Sequence, residues 1–315
     1  MARTVRSLGD VATGQFGTVT REQLHAAGYS RAELRRQIQS GVLEQTGAHT
    51  YRSPLQPVTE LHDLAGLLLD CGPNAWASGP TAAALHGMDG YTLSPPFHVT
   101  VLRGSNVQRA RHRIHTTTFL PPVDQCVIEG IAVTTAARTL IDLSRTATRR
   151  ELTTALDSAL RDGRVSEAWL HRRIARLRAR GRYGIPKLLD VIEGIEATRG
   201  GHSWLERRFL ELVAEAGLPL PSTQQVLART NDRRLVRVDC RFEGTPVVVE
   251  LLGYRWHRDE TQMTRDADRF NALLLEGLAP LQFTYRQVTT APRQVIATTT
   301  KALVPYRQPS SVSPN

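Results

Sequence analysis

Hydrophobic residues near the start of the chain recur at helical spacing and predict two short helices. Leu24 belongs to the inward face of the first helix, and Leu34 and Ile38, four positions apart, form that of the second. A hydroxyl residue precedes each helix and can cap it, and a glutamine in the first helix completes a capping-box pattern. Gly28 separates the helices because it can take the left-handed conformation that a tight turn requires. Residues 42–51 are predicted to form a two-stranded hairpin.

The outward face of the second helix is rich in arginine and glutamine. Both side chains carry forked donors that suit base edges and phosphate groups, so we predict a nucleic-acid contact on this face. The candidate residues are Arg31, Arg35, Arg36, Gln37 and Gln39. The hairpin holds no arginine or lysine before Arg52, so its own phosphate contact is expected to be weak. The open alternative is a small helical unit that contacts protein, since the same packing serves both purposes.

Two stretches in the last third of the chain alternate as β-strands. Residues 235–242 place hydrophobic side chains on one face and three charged side chains, Asp239 among them, on the other. After a tight turn, residues 246–252 are hydrophobic on both faces, which predicts a central strand that is covered on both sides. Glu250 interrupts this strand. Because an unpaired buried charge costs several kcal/mol, its carboxylate requires a proton, a cationic partner or a metal.

Asp239 and Glu250 can converge because their strands are neighbours. Two carboxylates suit a hard divalent cation such as Mg²⁺, which prefers oxygen ligands and keeps water molecules available for phosphodiester hydrolysis. The competing interpretation pairs Asp239 with an arginine of its own strand, Arg237 or Arg241.

The middle of the chain alternates helices and strands. The pattern predicts helices over 61–69 and 81–87 and a strand over 97–102. Four histidines are scattered through this part and are interpreted as structural: His86, His98, His112 and His115. We assign no chemistry to this region.

The charge of the chain is unevenly distributed. Its 315 residues include 40 lysines and arginines against 30 acidic residues, a net charge of +10 that points toward a polyanion such as nucleic acid. Only two of the 40 are lysines, which is typical of a GC-rich genome whatever the function. Residues 145–182 hold eleven arginines against four acidic residues, at helical spacing. They predict two arginine-rich helices, either a solvated face that joins domains or a surface for phosphate or an acidic partner.

Several classes of protein are excluded. No stretch approaches 18 consecutive apolar residues, and no apolar segment of a signal peptide follows the first residues. Cys71, Cys126 and Cys240 lie far apart and predict neither a disulfide framework nor a zinc site. We therefore expect a cytoplasmic protein without a membrane partner.

Residues 8–145 resemble a known family. The run from Gly17 to Tyr51 is similar to the N-terminal domain of AbiEi-type antitoxins, and Ser78–Gly87 and Thr134–Leu143 are similar to segments that follow it in such proteins. The resemblance implies a winged helix-turn-helix domain that binds DNA, followed by an α/β domain. It also implies DNA and a cognate toxin as partners.

Residues 203–290 resemble a second family. Asp239 followed eleven residues later by Glu250 resembles the motif of PD-(D/E)xK nucleases. More narrowly, the run from Val238 to Gly277 is similar to domains related to the very-short-patch repair endonucleases. This resemblance implies a restriction-endonuclease-like α/β domain around a central mixed sheet.

The nuclease resemblance also implies roles for individual residues. Asp239, Glu250 and Glu206 would hold Mg²⁺, and His257 would orient water or protonate the leaving oxygen. Like Asp239, two of these have structural alternatives, because Glu206 completes a capping box with Ser203 and His257 follows a tryptophan.

Two positions depart from the nuclease pattern. Leu252, two residues after Glu250 on the same face, stands where related nucleases have lysine and the repair-like domains have an acid. Without a polar group there, the attacking water loses a contact that can be worth orders of magnitude in rate. Gln282 stands where the family more often has arginine.

Together these patterns predict a multidomain α/β protein. We expect a winged helix-turn-helix domain over 1–57, an α/β middle domain with the arginine-rich helices over 58–198, an endonuclease-like domain over 199–306 and a disordered tail over 307–315. One hypothesis is a Mg²⁺-dependent DNA endonuclease of defence or repair. The other is a non-enzymatic antitoxin-type transcriptional regulator whose nuclease-like domain is degenerate. A module that docks an acidic protein is the least favoured.

Overall fold

The computed structural model describes residues 12–55, 58–105, 107–109, 111–178, 184–198, 204–229, 235–252 and 260–306. The predicted tail over 307–315 and the candidate residue His257 lie outside the described residues. The described chain is a mixed α/β structure with three sheets, and it divides into two compact units. The first extends to residue 170 and includes residues 184–188, and the second holds the rest. The predicted boundaries of three domains stay a prediction.

The first unit begins with a three-stranded antiparallel sheet and two helices. Strand β1 (Thr18–Thr20) pairs with β3 (Thr50–Arg52), and β3 pairs with β2 (Glu44–Gln45). Helices α1 (Arg21–Ala26) and α2 (Arg31–Gln39) lie between β1 and β2 in the chain. Both predicted helices and the predicted hairpin are confirmed. The sequence did not predict β1, because three residues are too few to show a period.

Local chemistry explains where the two helices begin. The Thr20 hydroxyl accepts a hydrogen bond from the Gln23 N–H at 3.2 Å, and the Gln23 side chain accepts one from the Thr20 N–H at 2.8 Å. Ser30 and Glu33 repeat this reciprocal arrangement in α2 at the same two distances. Between the helices Gly28 has a φ of 95°, as the turn requires. The capping-box prediction is therefore confirmed.

A five-stranded mixed sheet forms the centre of the first unit. Its strands are β4 (Ala75–Ala77), β5 (His98–Leu102), β6 (Arg113–Thr117), β7 (Gln125–Ile128) and β8 (Ile131–Thr134). They lie in the order β6-β5-β4-β8-β7, with parallel β4–β8 and β5–β6 pairs. The surrounding helices are α3 (Glu60–Cys71), α4 (Gly79–Leu85) and α5 (Ala136–Leu143). Leu64 of α3 and Phe97, Val99 and Val133 of the sheet region share one buried cluster.

The arginine-rich region forms helices, as predicted. These are α6 (Arg149–Arg161) and α7 (Glu167–Leu177), and α8 (Ile185–Thr198) follows them. Leu152 and Leu156 of α6 and Leu170 and Ile174 of α7 are buried, so the hydrophobic stripes face inward. Most arginines of α6 and α7 point to solvent, but Arg173 is only 8% exposed.

The second unit contains a four-stranded mixed sheet. Its strands are β9 (Ser222–Arg229), β10 (Leu235–Arg241), β11 (Val247–Leu252) and β12 (Ala279–Thr284), and its helices are α9 (Trp204–Glu215), α10 (Glu260–Leu275), α11 (Tyr285–Thr290) and α12 (Pro292–Leu303). The strand order is β12-β11-β10-β9, and only β11–β12 is parallel. β11 is central and its first four residues are buried, which confirms the prediction of a covered central strand. No helix of the described ranges is long and apolar enough to cross a membrane.

A buried aromatic group packs inside the second unit. His171 stacks on Trp204 with ring centroids 3.8 Å apart, and its Nδ1 lies 2.6 Å from the Tyr285 hydroxyl. The hydroxyl in turn donates to the His171 carbonyl oxygen at 3.2 Å. Because the hydroxyl proton is used there, Nδ1 carries a proton and donates to the hydroxyl oxygen. Burial lowers the pKa of His171 to about 3, and its Nε2 has no hydrogen-bond partner among the described residues.

We expect His171 to make the protein less stable in mild acid. The unfolded chain takes up this proton near pH 6.5 and the folded chain does not, so stability falls as the pH decreases below 6.5 by up to about 1.4 kcal/mol per unit. His171→Phe keeps the stack and should flatten the dependence. Melting temperatures from pH 8 to 5 test this, with exposed His25→Asn as the control. Parallel losses in wild type and His171→Phe would exclude this role.

Candidate functional site

Helix α2 presents the predicted DNA-binding residues to solvent. Arg31, Arg35, Arg36 and Gln39 are exposed, and Gln37 is half-buried. A buried leucine and a half-buried isoleucine on the opposite side hold the helix against β1 and β3. The arginines therefore project from a fixed surface, as recognition of a rigid duplex requires.

The hairpin β2–β3 adds no uncommitted positive charge. Arg52 donates from Nη1 to Asp63 Oδ1 at 2.7 Å and from Nε to Glu44 Oε2 at 3.3 Å. Its side chain is only 14% exposed. Arg52, the one arginine of the hairpin, is thus paired within the protein. We therefore still expect the hairpin to contact phosphate only weakly.

A buried carboxylate fixes the tip of this hairpin. Asp70, the penultimate residue of α3, accepts hydrogen bonds from the Ala48 N–H at 3.1 Å and the His49 N–H at 2.6 Å. Arg109 forms an ion pair with the same carboxylate and donates to the Asp70 carbonyl oxygen at 2.7 Å. Gly47 packs so closely that a Cβ atom there would lie 2.5 Å from the Asp70 carboxyl carbon. The sequence analysis did not predict this contact. The signal that could have indicated it is Asp70 itself, a charged residue near the end of an apolar helix.

The carboxylates of the nuclease-like motif are neighbours in the second unit. The register that pairs Cys240 with Val249 brings Asp239 opposite Glu250 one step further along. Asp239 accepts a hydrogen bond from the Leu251 N–H at 2.7 Å. Burial, and then the negative charges of Glu206 and Glu250, raise the pKa of Asp239 to about 6. Of the four predicted residues, the structure thus places Asp239 and Glu250 opposite one another, and Glu206 acts on Asp239 through its charge.

Protein donors occupy the carboxylate of Glu250. Arg269 of α10 donates from Nε to Oε1 at 2.8 Å, and Gln282 of β12 donates from Nε2 to Oε2 at 3.2 Å. Arg269 also bonds to the Arg237 carbonyl oxygen. Glu250 itself is 5% exposed. The cationic partner that the sequence required for this buried charge is therefore Arg269, and the departure at Gln282 supplies the second donor.

This arrangement does not fit a magnesium ion. Mg²⁺ needs open carboxylate oxygens in octahedral geometry, whereas both oxygens of Glu250 accept hydrogen bonds from Arg269 and Gln282, and Oδ2 of Asp239 accepts one from the Leu251 N–H. Within the described residues there is no group of three or more His, Cys, Asp or Glu that could hold a metal. The alternative prediction, an ion pair of Asp239 with Arg237 or Arg241, is likewise not found among the residues that the structure describes. The magnesium site stays a prediction from the sequence.

We expect Arg269→Ala to destabilise the second unit. It leaves the Glu250 charge buried with only an amide donor, and because Arg269 is 43% exposed we expect a loss of about 2 kcal/mol. Urea unfolding measures this loss. The matched control is Arg265→Ala, an exposed arginine on the same helix, which should change stability by less than about 0.5 kcal/mol.

A second substitution tests whether the buried charge of Glu250 causes the loss of stability in Arg269→Ala. Glu250→Gln combined with Arg269→Ala should recover part of the lost stability, because the neutral amide leaves no buried charge. If the double variant is no more stable than Arg269→Ala, the ion pair is not the reason for the loss.

Comparison with known proteins bears on the first part of the chain. No curated protein matches the chain. Among solved structures, the crystal structure of the RV2827C protein from Mycobacterium tuberculosis is similar, with 14% identity, a TM-score of 0.45, and coverage of 58% of this chain and 74% of that one. The resemblance of the C-terminal part to nucleases stays a prediction. Residues 10–52, which contain α1, α2 and the hairpin, match the family model described as a transcriptional regulator, AbiEi antitoxin.

Proposed function

We propose that this chain is a DNA-binding transcriptional regulator of the antitoxin type. The observation that carries the proposal is the exposed arginine and glutamine face of α2, which lies inside the segment that matches the AbiEi antitoxin family. The same family description supports a cognate toxin as the second partner of the protein.

The two short helices and the hairpin act as a winged helix-turn-helix. In this proposal α2 enters the major groove, whose width of about 12 Å admits a helix. Arg35 and Arg36 lie on consecutive positions of its exposed face, where a guanidinium can bond to the O6 and N7 atoms of guanine. Helix α1 supports α2 through the turn at Gly28, and the capping boxes fix the start of each helix.

The nuclease-like part of the second unit serves as a scaffold in this proposal. Arg269 and Gln282 occupy the Glu250 carboxylate, and Leu252 provides no polar group to orient water. These three features support the regulator over the Mg²⁺-dependent endonuclease. The endonuclease remains the second candidate because Asp239 lies opposite Glu250 and its pKa is raised by burial and by the negative charges of Glu206 and Glu250.

Loss of the α2 arginines should weaken DNA binding. Two lost contacts of about 1 kcal/mol each correspond to roughly 30-fold in affinity, so we expect at least that decrease for Arg35→Ala with Arg36→Ala. Gel-shift titration with DNA from upstream of the gene measures it. The control is Arg286→Ala with Arg293→Ala, which removes the same charge from exposed positions of α11 and α12, outside the arginine-rich helices. Equal affinities of wild type and the α2 variant would overturn the proposal.

A plasmid assay separates the two candidate functions. We expect purified protein with Mg²⁺ to nick supercoiled DNA no faster than its Glu250→Ala variant, because Arg269 already holds that carboxylate. Nicking that depends on Mg²⁺ and disappears in Glu250→Ala would instead establish the endonuclease.

A further inference from the structure

The edge of the five-stranded sheet next to the hairpin is basic. Residues 90–123 contain no acidic residue, and four arginines fall within eleven positions of this stretch. Arg109, Arg111 and Arg113 lead into and begin β6, the edge strand of the sheet. Arg111 and Arg113 are exposed, and no ion pair of either is found among the described residues.

Asp70 places this edge beside the hairpin tip. Its carboxylate binds the backbone of Ala48 and His49 on one side and the guanidinium of Arg109 on the other. Arg111 follows two residues later and, together with Glu44 and other hairpin residues, lines a cavity of about 490 Å³. The hairpin and the start of β6 are therefore adjacent parts of one surface of the first unit.

The acidic residues around this surface are already paired. Glu44 and Asp63 share Arg52, and Asp70 is bound by Arg109. The positive charges of the hairpin and of Arg109 are thus neutralised locally. Among these residues four arginines face three carboxylates, because Glu44 and Asp63 share the single charge of Arg52. A net charge of +1 therefore remains for an external partner, and the exposed Arg111 and Arg113 carry it.

We propose that Arg111 and Arg113, the basic edge, contact the phosphate backbone of duplex DNA in place of the hairpin. This inference rests on the proposed function, because it assumes that α2 binds DNA. A duplex is the partner that fits, since a polyanion complements two unpaired arginines beside a domain that matches DNA-binding regulators. Phosphate contacts fix position and affinity but not sequence preference, so the basic edge adds affinity and α2 adds specificity.

The salt dependence of DNA binding tests the basic edge. Each neutralised phosphate contributes about 0.9 to the slope of log K against log salt concentration, so Arg111→Ala with Arg113→Ala should reduce the slope by about 2. The upstream DNA and a scrambled duplex should lose affinity by the same factor. Fluorescence anisotropy between 50 and 200 mM salt, roughly the range in which such contacts are lost, measures both quantities.

Two further variants make the result specific. Arg111→Lys with Arg113→Lys keeps the charge and should retain the wild-type slope, because a phosphate accepts a lysine as a point charge. Arg286→Ala with Arg293→Ala removes the same charge from exposed positions of α11 and α12, outside the arginine-rich helices, and should leave the slope within about 0.5 of wild type. A slope that falls equally in this control would overturn the basic edge.

The outcome is distinguishable from failure of the proposed function. If wild type binds neither duplex at low salt, the regulator proposal fails. If wild type binds, Arg35→Ala with Arg36→Ala weakens binding, and the slope of Arg111→Ala with Arg113→Ala is unchanged, only the basic edge is overturned. Circular dichroism confirms that each variant is folded.

Discussion

The buried carboxylate of Asp70 organises the first unit. Its side chain is 2% exposed, and it can remain charged there only because two backbone N–H groups and Arg109 bind it. One acceptor thereby joins the end of α3, the tip of the hairpin and the approach to β6. The arrangement that we propose for DNA binding depends on this contact, because it places the start of β6 beside the hairpin.

Glu250 is a second buried carboxylate, in the second unit, and its negative charge must also be compensated. A charge on a central strand must be compensated, and here Arg269 and Gln282 do so from an adjacent helix and an adjacent strand. In a metal-dependent nuclease that compensation comes from the ion, and it is available only when the oxygens stay open. In the regulator that we propose, this carboxylate therefore stabilises the fold, although its place in the sequence resembles that of a catalytic ligand.

Helices and strands were easier to predict from the sequence than the side-chain contacts between them. Capping boxes, the α2 face and the covered strand around Glu250 follow from local spacing, and each is present. The identity of the cation at Glu250 could not be predicted, because Arg269 lies nineteen residues away on a helix whose position only the folded sheet determines. The ion pair between Arg52 of the hairpin and Asp63 of α3 could not be predicted either, because only the folded chain brings the two residues together. Short strands such as β1 lack a readable period.

The anchored hairpin tip has a kinetic consequence. Gly47 leaves no space for a side chain, and the two backbone N–H groups that follow are already bound, so the tip has its final shape before any ligand arrives. Ordering of a loop usually consumes part of the free energy of association. A preformed surface avoids that cost and binds through a single encounter step. In the DNA complex that we propose, where the basic edge lies beside this tip, differences among DNA sites should then reside in how long the complex lasts rather than in how quickly it forms.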